Sequence, residues 1–157
     1  MGTYEWLLLF HLLGAFLFVS GAAVAAVLQL AAMRRERPSE IAALLGAIRA
    51  GVLLVGIGAV VVLGFGIWLA EHAGYGLGEG WVSLALALFG LSLLLGGVAG
   101  RHDKATRKLA VRLAEDGDHP NPELHRRLRE PVPLALNYAS AALVLAIVVV
   151  MVWKPAL

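Results

Sequence analysis

Four long runs of residues without a charged side chain dominate this sequence of 157 residues. They extend from Trp6 to Met33, from Ala50 to Ala70, from Trp81 to Gly100 and from Pro131 to Trp153. A helix needs about 20 apolar residues to cross the roughly 30 Å hydrocarbon layer of a bilayer, and every run is that long. The runs are continuous and do not alternate with period two, which excludes a transmembrane β-barrel. Each run therefore predicts a transmembrane helix.

Composition agrees with a membrane protein. Hydrophobic residues make up 60% of the chain and charged residues 15%, whereas soluble domains average about 45–50% and about 25%. The absence of cysteine excludes a disulfide scaffold and a thiolate metal site. We expect one integral membrane domain over residues 1–157, folded as an all-α antiparallel four-helix bundle. The predicted spans are residues 6–32, 41–71, 81–100 and 132–153, with a basic loop at 101–130.

Most basic residues lie in alternate loops, which predicts the orientation. Three arginines follow the first span, and the 101–130 loop carries eight lysines and arginines. The loop at 71–80 carries none. Because cytoplasmic loops are enriched in lysine and arginine, we expect both termini outside a bacterial cytoplasmic (inner) membrane. The basic charge then reflects topology in a lipid bilayer, and we expect no nucleic-acid partner.

The basic loop has enough apolar residues to be more than a linker. Residues 101–116 predict a helical extension of the third span or a short surface helix. Asn121 and Pro122 predict the start of another turn, which would run to Arg129. Two interpretations fit this loop: a solvated hairpin, or an amphipathic segment on anionic headgroups.

Small residues are abundant in the spans. Helix association in lipid depends on small residues, which bring backbones together, and the chain has 18 glycines. They predict close helix packing within the bundle or, alternatively, contact with a second copy or a larger membrane complex. The residues concerned are Gly14, Ala15, Gly21 and Ala22 in the first span, Gly46, Gly56 and Gly64 with Gly58 and Gly66 nearby in the second, and Gly96, Gly97 and Gly100 in the third.

His11 is the leading candidate for a functional residue. Polar side chains within the membrane are costly and often functional. His11 lies five residues inside Trp6, roughly 7–8 Å below the interface, on a helical face with Gly14 and Phe18. This face leaves room for a flat cofactor. The alternative is a neutral imidazole that is hydrogen-bonded to a neighbouring helix.

His72 is the candidate partner of His11, since antiparallel helices bring both to the same side of the membrane. Two neutral imidazoles can ligate haem iron or copper. The candidate site therefore has His11 and His72 as ligands, flanked by Gly14, Phe18 and Trp68, with haem b as cofactor and copper as the alternative. The alternative for His72 is a solvated loop histidine, and its nominal position is shallower than that of His11.

Two stretches resemble a bacterial family of four-span integral membrane proteins of unknown function. They are the opening WLLLFHLLGAFLFVSG at residues 6–21 and the ending MVWKP at residues 151–155. The chain is also similar to the wider group of the CopD copper-resistance domain and the HemJ-type protoporphyrinogen oxidases. The resemblance implies haem or metal binding at the first-helix histidine, which is His11 here. The lysine expected in HemJ-type enzymes has no counterpart in the middle of the spans.

Three functions remain open at this stage. The first is an integral membrane protein that binds haem b or a metal, for electron transfer or copper handling. The second is a non-catalytic accessory or assembly subunit of a membrane complex. The third is a small transporter or channel, although the spans lack the carboxylates and ion pairs typical of such sites. No reaction is assigned, because no phosphate-loop, hydrolase or dinucleotide-binding motif occurs in a usable context.

Overall fold

The computed structural model describes residues 2–154; Met1 and residues 155–157, including Pro155 of the ending noted above, lie outside it. The described chain is helical and contains no strand, which confirms the predicted all-α class. Four of its helices are long and apolar enough to cross a membrane, as predicted. The helices are α1 (Thr3–Ala32), α2 (Pro38–His72), α3 (Gly80–Glu115), α4 (Pro122–Leu128) and α5 (Pro131–Trp153).

The helix ends follow local sequence signals. Pro38 is the first residue of α2, where its missing N–H costs nothing. Helix α3 continues past the membrane-spanning run to Glu115, as the predicted extension. The side chain of Asn121 accepts hydrogen bonds from the backbone N–H groups of Glu123 and Leu124 and so caps α4. The predicted helical extension of the third span and the predicted helix that starts at Asn121 and Pro122 are therefore both confirmed.

The two ends of the bundle differ in charge. We call the end with residues 2–5, the 73–79 loop and Lys154 the terminal end, and the end with residues 33–37 and 101–130 the basic end. Helix α1 packs against α2, α3 against α5, and α2 joins the two pairs through α3. Among the described residues, α1 and α5 make hardly any contact. The two helix pairs therefore enclose a space that the packing leaves unfilled.

Glycine allows α1 and α2 to touch backbone to backbone. A Cβ at Gly58 would lie 2.4 Å from the Phe18 backbone nitrogen, and a Cβ at Gly21 would lie 2.6 Å from the Gly51 carbonyl oxygen. Gly14 and Gly21 are seven residues apart, as are Gly51 and Gly58, so each pair lies on one helical face. This confirms that small residues mediate close packing.

The prediction was wrong for several of the glycines that were expected to lie in helix contacts. A Cβ at Gly46, Gly56 or Gly64 would meet nothing within 4 Å, and the same is true of Gly97 and Gly100. These glycines make no contact because of their angular positions around the helix. Gly56 lies two residues before Gly58, about 200° around α2, and therefore faces away from α1. The contact glycines of α2 are instead Gly51, Gly58 and Gly66.

The outer surface of the bundle is apolar, as contact with lipid requires. Val27, Val60, Leu94 and Leu145 are 64%, 74%, 69% and 69% exposed, and they lie on four different helices. Water would make such exposure unfavourable, whereas hydrocarbon does not. Each of the four membrane-spanning helices therefore has a face in contact with lipid.

The basic end is closed by a small core. Ile41 and Leu45 of α2, Ala110 of α3 and Leu124 and Leu128 of α4 are buried against one another. The apolar side of the α3 extension is thus covered by α2 and α4, and its lysines and arginines remain outside. This packing holds the two helix pairs together at the basic end, and the unfilled space lies nearer the terminal end.

A carboxylate from the α3–α4 turn caps α2. Asp118 Oδ1 accepts a hydrogen bond from the Ser39 backbone N–H at 2.7 Å, and Oδ2 accepts one from the Ser39 hydroxyl at 2.6 Å. The preceding Gly117 has φ +115, a conformation that glycine adopts without strain. The acceptor lies 79 residues away in the chain, so a distant carboxylate, and not a neighbouring side chain, caps the first turn of α2.

This cap predicts a pH-dependent stability. The hydrogen bonds from Ser39 lower the pKa of Asp118 below its ordinary value. A lowered folded-state pKa stabilises the fold above the unfolded value of about 4, and the contribution is lost as pH falls through the folded value. We expect Asp118→Asn to lower the midpoint of thermal unfolding at pH 7 in detergent, and the difference from wild type to shrink as the pH falls below about 4 toward the folded-state pKa. An undiminished difference at pH 3 would contradict the charged cap.

Candidate functional site

A cavity of about 600 Å³ lies between α1, α2, α3 and α5, toward the terminal end. Its size falls within the range of roughly 300–1,000 Å³ that is usual for ligand pockets. Nearly all of its walls are apolar side chains. Phe18 of α1 and Phe89 of α3 stand at its deep end with ring centroids 5.5 Å apart. The space can therefore hold a large, mainly apolar molecule.

His11 lies on the cavity wall and is 8% exposed. Its Nδ1 lies 3.0 Å from the carbonyl oxygen of Val62 on α2. Gly66, one turn further along α2, makes room for the ring: a Cβ there would lie 2.9 Å from both Cε1 and Nδ1. The imidazole is thus held in one orientation by a hydrogen bond on one side and a glycine on the other.

This arrangement determines which nitrogen of His11 is available. A carbonyl oxygen only accepts hydrogen bonds, so Nδ1 carries the proton and donates it to Val62. Nε2 then keeps its lone pair, and it has no hydrogen-bond partner within residues 2–154. Histidines that bind metals commonly donate the other ring N–H to a carbonyl or carboxylate in this way. His11 is therefore prepared to act as a ligand or as a hydrogen-bond acceptor.

The other predicted site residues lie in different places. Phe18 lines the cavity as expected. Gly14 is absorbed in the α1–α2 contact, where its Cβ would lie 2.6 Å from the Val62 backbone nitrogen. Trp68 is 54% exposed and stacks on Phe65 with centroids 6.4 Å apart. Neither Gly14 nor Trp68 is part of the cavity wall.

His72 is the last residue of α2, is exposed, and is not part of the cavity wall. The structure does not bring its imidazole to the cavity with that of His11. The angular positions of residues around α2 again explain which of them lie outside the cavity. Trp68 follows Gly66 by two residues, about 200° around α2, so the face that carries Trp68 points away from His11.

The wall supplied by α5 was not anticipated from the sequence. Val144, Ile147, Val148 and Met151 line the cavity, followed by Lys154 just beyond the helix. The first four have the i, i+3, i+4, i+7 spacing of a single helical face. That spacing is the available signal, but residues 141–153 are apolar on every side of the helix, so it does not stand out.

A comparison with known protein families supports a membrane protein over nearly the whole length of the chain. A family model described as "Predicted integral membrane protein (DUF2269)" matches residues 5–155. The chain belongs to this family. The match includes all four membrane-spanning helices, His11 and the basic end. No curated protein and no solved structure matched the chain. The protein is a multi-pass integral membrane protein in contact with the lipid bilayer.

Polar groups at the basic end of this DUF2269 protein form structural contacts. His102 Nε2 lies 3.3 Å from a carboxylate oxygen of Glu130 and 3.2 Å from the Arg127 carbonyl oxygen. Glu123 pairs with Arg126 and Arg127 within α4, and Arg127 lowers the pKa of Glu123. Within residues 2–154, no group of three or more histidine, cysteine, aspartate or glutamate side chains could hold a metal ion. The cavity with His11 is therefore the candidate site.

Proposed function

We propose that this membrane protein binds one haem b in the cavity, with His11 Nε2 as the axial ligand of the iron. The observation that carries the proposal is the fixed imidazole: Val62 holds its Nδ1, Gly66 accommodates its ring, and Nε2 is left free at an apolar cavity. Such a ligand needs no rearrangement before it binds iron. Imidazole is a common axial ligand of haem proteins.

The donor set favours haem over a bare copper ion. A copper site requires several nitrogen or sulfur side chains in a defined geometry. His11 is the one imidazole among the cavity residues, and the chain has no cysteine. A porphyrin brings four nitrogen ligands of its own, so a single histidine is sufficient to hold its iron. The expected similarity of the family to the CopD and HemJ-type group would place haem or metal binding at the same first-helix histidine.

The walls also suit a tetrapyrrole. The macrocycle is flat and apolar, and the walls contribute aliphatic and aromatic side chains such as Leu12, Ile67 and Ile147. When bound, haem supplies one-electron chemistry. The protein residues orient the ligand nitrogen and exclude water from the macrocycle. Because basic loops lie in the cytoplasm, the proposal places the cavity toward the outer side of a bacterial inner membrane, with both termini outside.

The decisive experiment is a haem titration of the detergent-purified protein, followed by Soret absorption and haem-to-protein stoichiometry. We expect one haem per chain in wild type and no Soret-absorbing complex in His11→Ala. The matched control is His72→Ala, which removes an exposed imidazole outside the cavity and leaves binding unchanged.

Three results would overturn the proposal. The first is a wild-type protein that stays colourless with excess haem, as expected of an accessory subunit. The second is equal haem binding by wild type and His11→Ala. Copper is measured in the same preparation, and one tightly bound copper per chain in place of haem would also replace the proposal.

A further inference from the structure

We propose that Lys154 binds a carboxylate of the cavity's ligand, so that the ligand sits with its carboxylate-bearing edge at the terminal end of the bundle. This inference rests on the proposed function, because it names the chemistry of the molecule that His11 binds. Among tetrapyrroles, it favours one that carries free carboxylates and disfavours one whose side chains are all neutral. It also gives the orientation of that molecule within the membrane.

Lys154 is positioned at the mouth of the cavity. It follows the last turn of α5, and its backbone N–H donates to the Val150 carbonyl oxygen at 2.8 Å. Its Nζ lies 4.8 Å from the ring centroid of Tyr75 and 5.4 Å from that of Trp81. Lys154 and both aromatic residues line the cavity. Two aromatic rings therefore hold the ammonium group beside the opening.

The ammonium group of Lys154 has capacity for an anion. A lysine has three N–H donors, and the ring faces use its charge without filling its need for a hydrogen-bond acceptor. Among the described residues, no carboxylate forms an ion pair with it. It is also the only lysine or arginine in the sequence at the terminal end, since residues 1–5 and 71–80 have none.

The depth of His11 matches such a ligand. His11 lies eight residues along α1 from Thr3, roughly 12 Å from the terminal end at 1.5 Å per residue. The two propionates of haem project from one edge of the ring. A carboxylate among the apolar walls would be strongly disfavoured. If His11 holds the iron, a propionate edge that faces the terminal end would meet water and the ammonium group of Lys154 there.

The test compares ligands with and without free carboxylates. The probes are haem, its dimethyl ester and metal-free protoporphyrin, titrated into wild type, Lys154→Gln and Lys154→Arg in detergent. We expect Lys154→Gln to weaken haem binding at least about ten-fold and Lys154→Arg to restore most of it. The dimethyl ester should bind both wild type and Lys154→Gln with the same affinity. Lys104→Gln, an exposed lysine at the basic end, is the matched control and should leave all affinities unchanged.

The outcomes separate this inference from the haem proposal. If wild type binds haem and Lys154→Gln binds it equally well, the role of Lys154 is overturned and His11 ligation stands. Metal-free protoporphyrin needs no axial ligand, so its binding, measured by porphyrin fluorescence, reports on Lys154 without a contribution from His11 ligation. Lys154-dependent binding of this probe by His11→Ala would support the carboxylate site even if haem ligation failed. No binding of any carboxylate-bearing porphyrin to wild type would overturn both.

Discussion

Gly58→Leu is expected to separate α1 from α2 and to leave little monodisperse protein. A Cβ at residue 58 would lie 2.4 Å from the Phe18 backbone nitrogen and 2.8 Å from the Gly14 carbonyl oxygen. Both are backbone atoms, so relief requires one helix to move away from the other. Overpacking a core costs about 1–3 kcal/mol even when side chains can adjust. Here the cost is larger, because the most extensive helix contact of the molecule would open.

The measurement is size-exclusion chromatography in detergent together with a thermal unfolding curve. Gly56→Leu is the matched control: it makes the same change two residues away on the same helix, where a Cβ would meet nothing within 4 Å. We expect Gly56→Leu to elute and unfold like wild type. If Gly58→Leu also does so, the backbone contact between α1 and α2 is not present in the membrane-extracted protein.

Gly66→Ala is expected to weaken haem binding about 10- to 100-fold while the fold persists, which is the usual cost of disturbing a group that orients a metal ligand. The added Cβ would lie 2.9 Å from Cε1 and Nδ1 of His11. Only a side chain is in the way, so the ring turns aside and the helices keep their places. Turning breaks the hydrogen bond to Val62 and points Nε2 away from its original direction.

Haem titration and thermal unfolding of the apoprotein together check this prediction. Gly64→Ala is its control, since it adds the same methyl group to α2 where nothing lies within 4 Å. Both variants should remain folded, and only Gly66→Ala should lose affinity. Equal haem affinities for Gly66→Ala, Gly64→Ala and wild type would show that the iron is not bound at His11.

Much of the fold is predictable from the sequence because the bilayer imposes a length. The uncharged runs that contain His11 and Ile147 must each cross the same hydrocarbon layer, so four spans follow from counting. Local signals also suffice for helix ends: Pro38 begins α2, and Asn121 with Pro122 begins α4. The importance of His11 is predictable too, since a polar side chain within a span has a high desolvation cost.

The candidate site was only partly predictable. His11 and Phe18 line the cavity, whereas Trp68 and His72 face elsewhere, and the cavity wall also includes Lys154, for which the sequence predicts no role. The sequence indicates that His11 and His72 lie on the same side of the membrane, because the side depends on the number of times the chain crosses the bilayer. It does not indicate that they share a face, because that depends on helix rotation.

By itself, then, the sequence determined the number of spans, their antiparallel course, the helix boundaries at Pro38 and Asn121, and one histidine within the membrane. Only the tertiary structure decided which glycines touch, where the helix pairs part, and which residues surround His11. The physical reason is that these spans are apolar on every side. A soluble helix shows its buried face through its polar residues, whereas a helix in lipid has no such contrast, and its rotation is set by contacts such as that between Gly58 and Phe18.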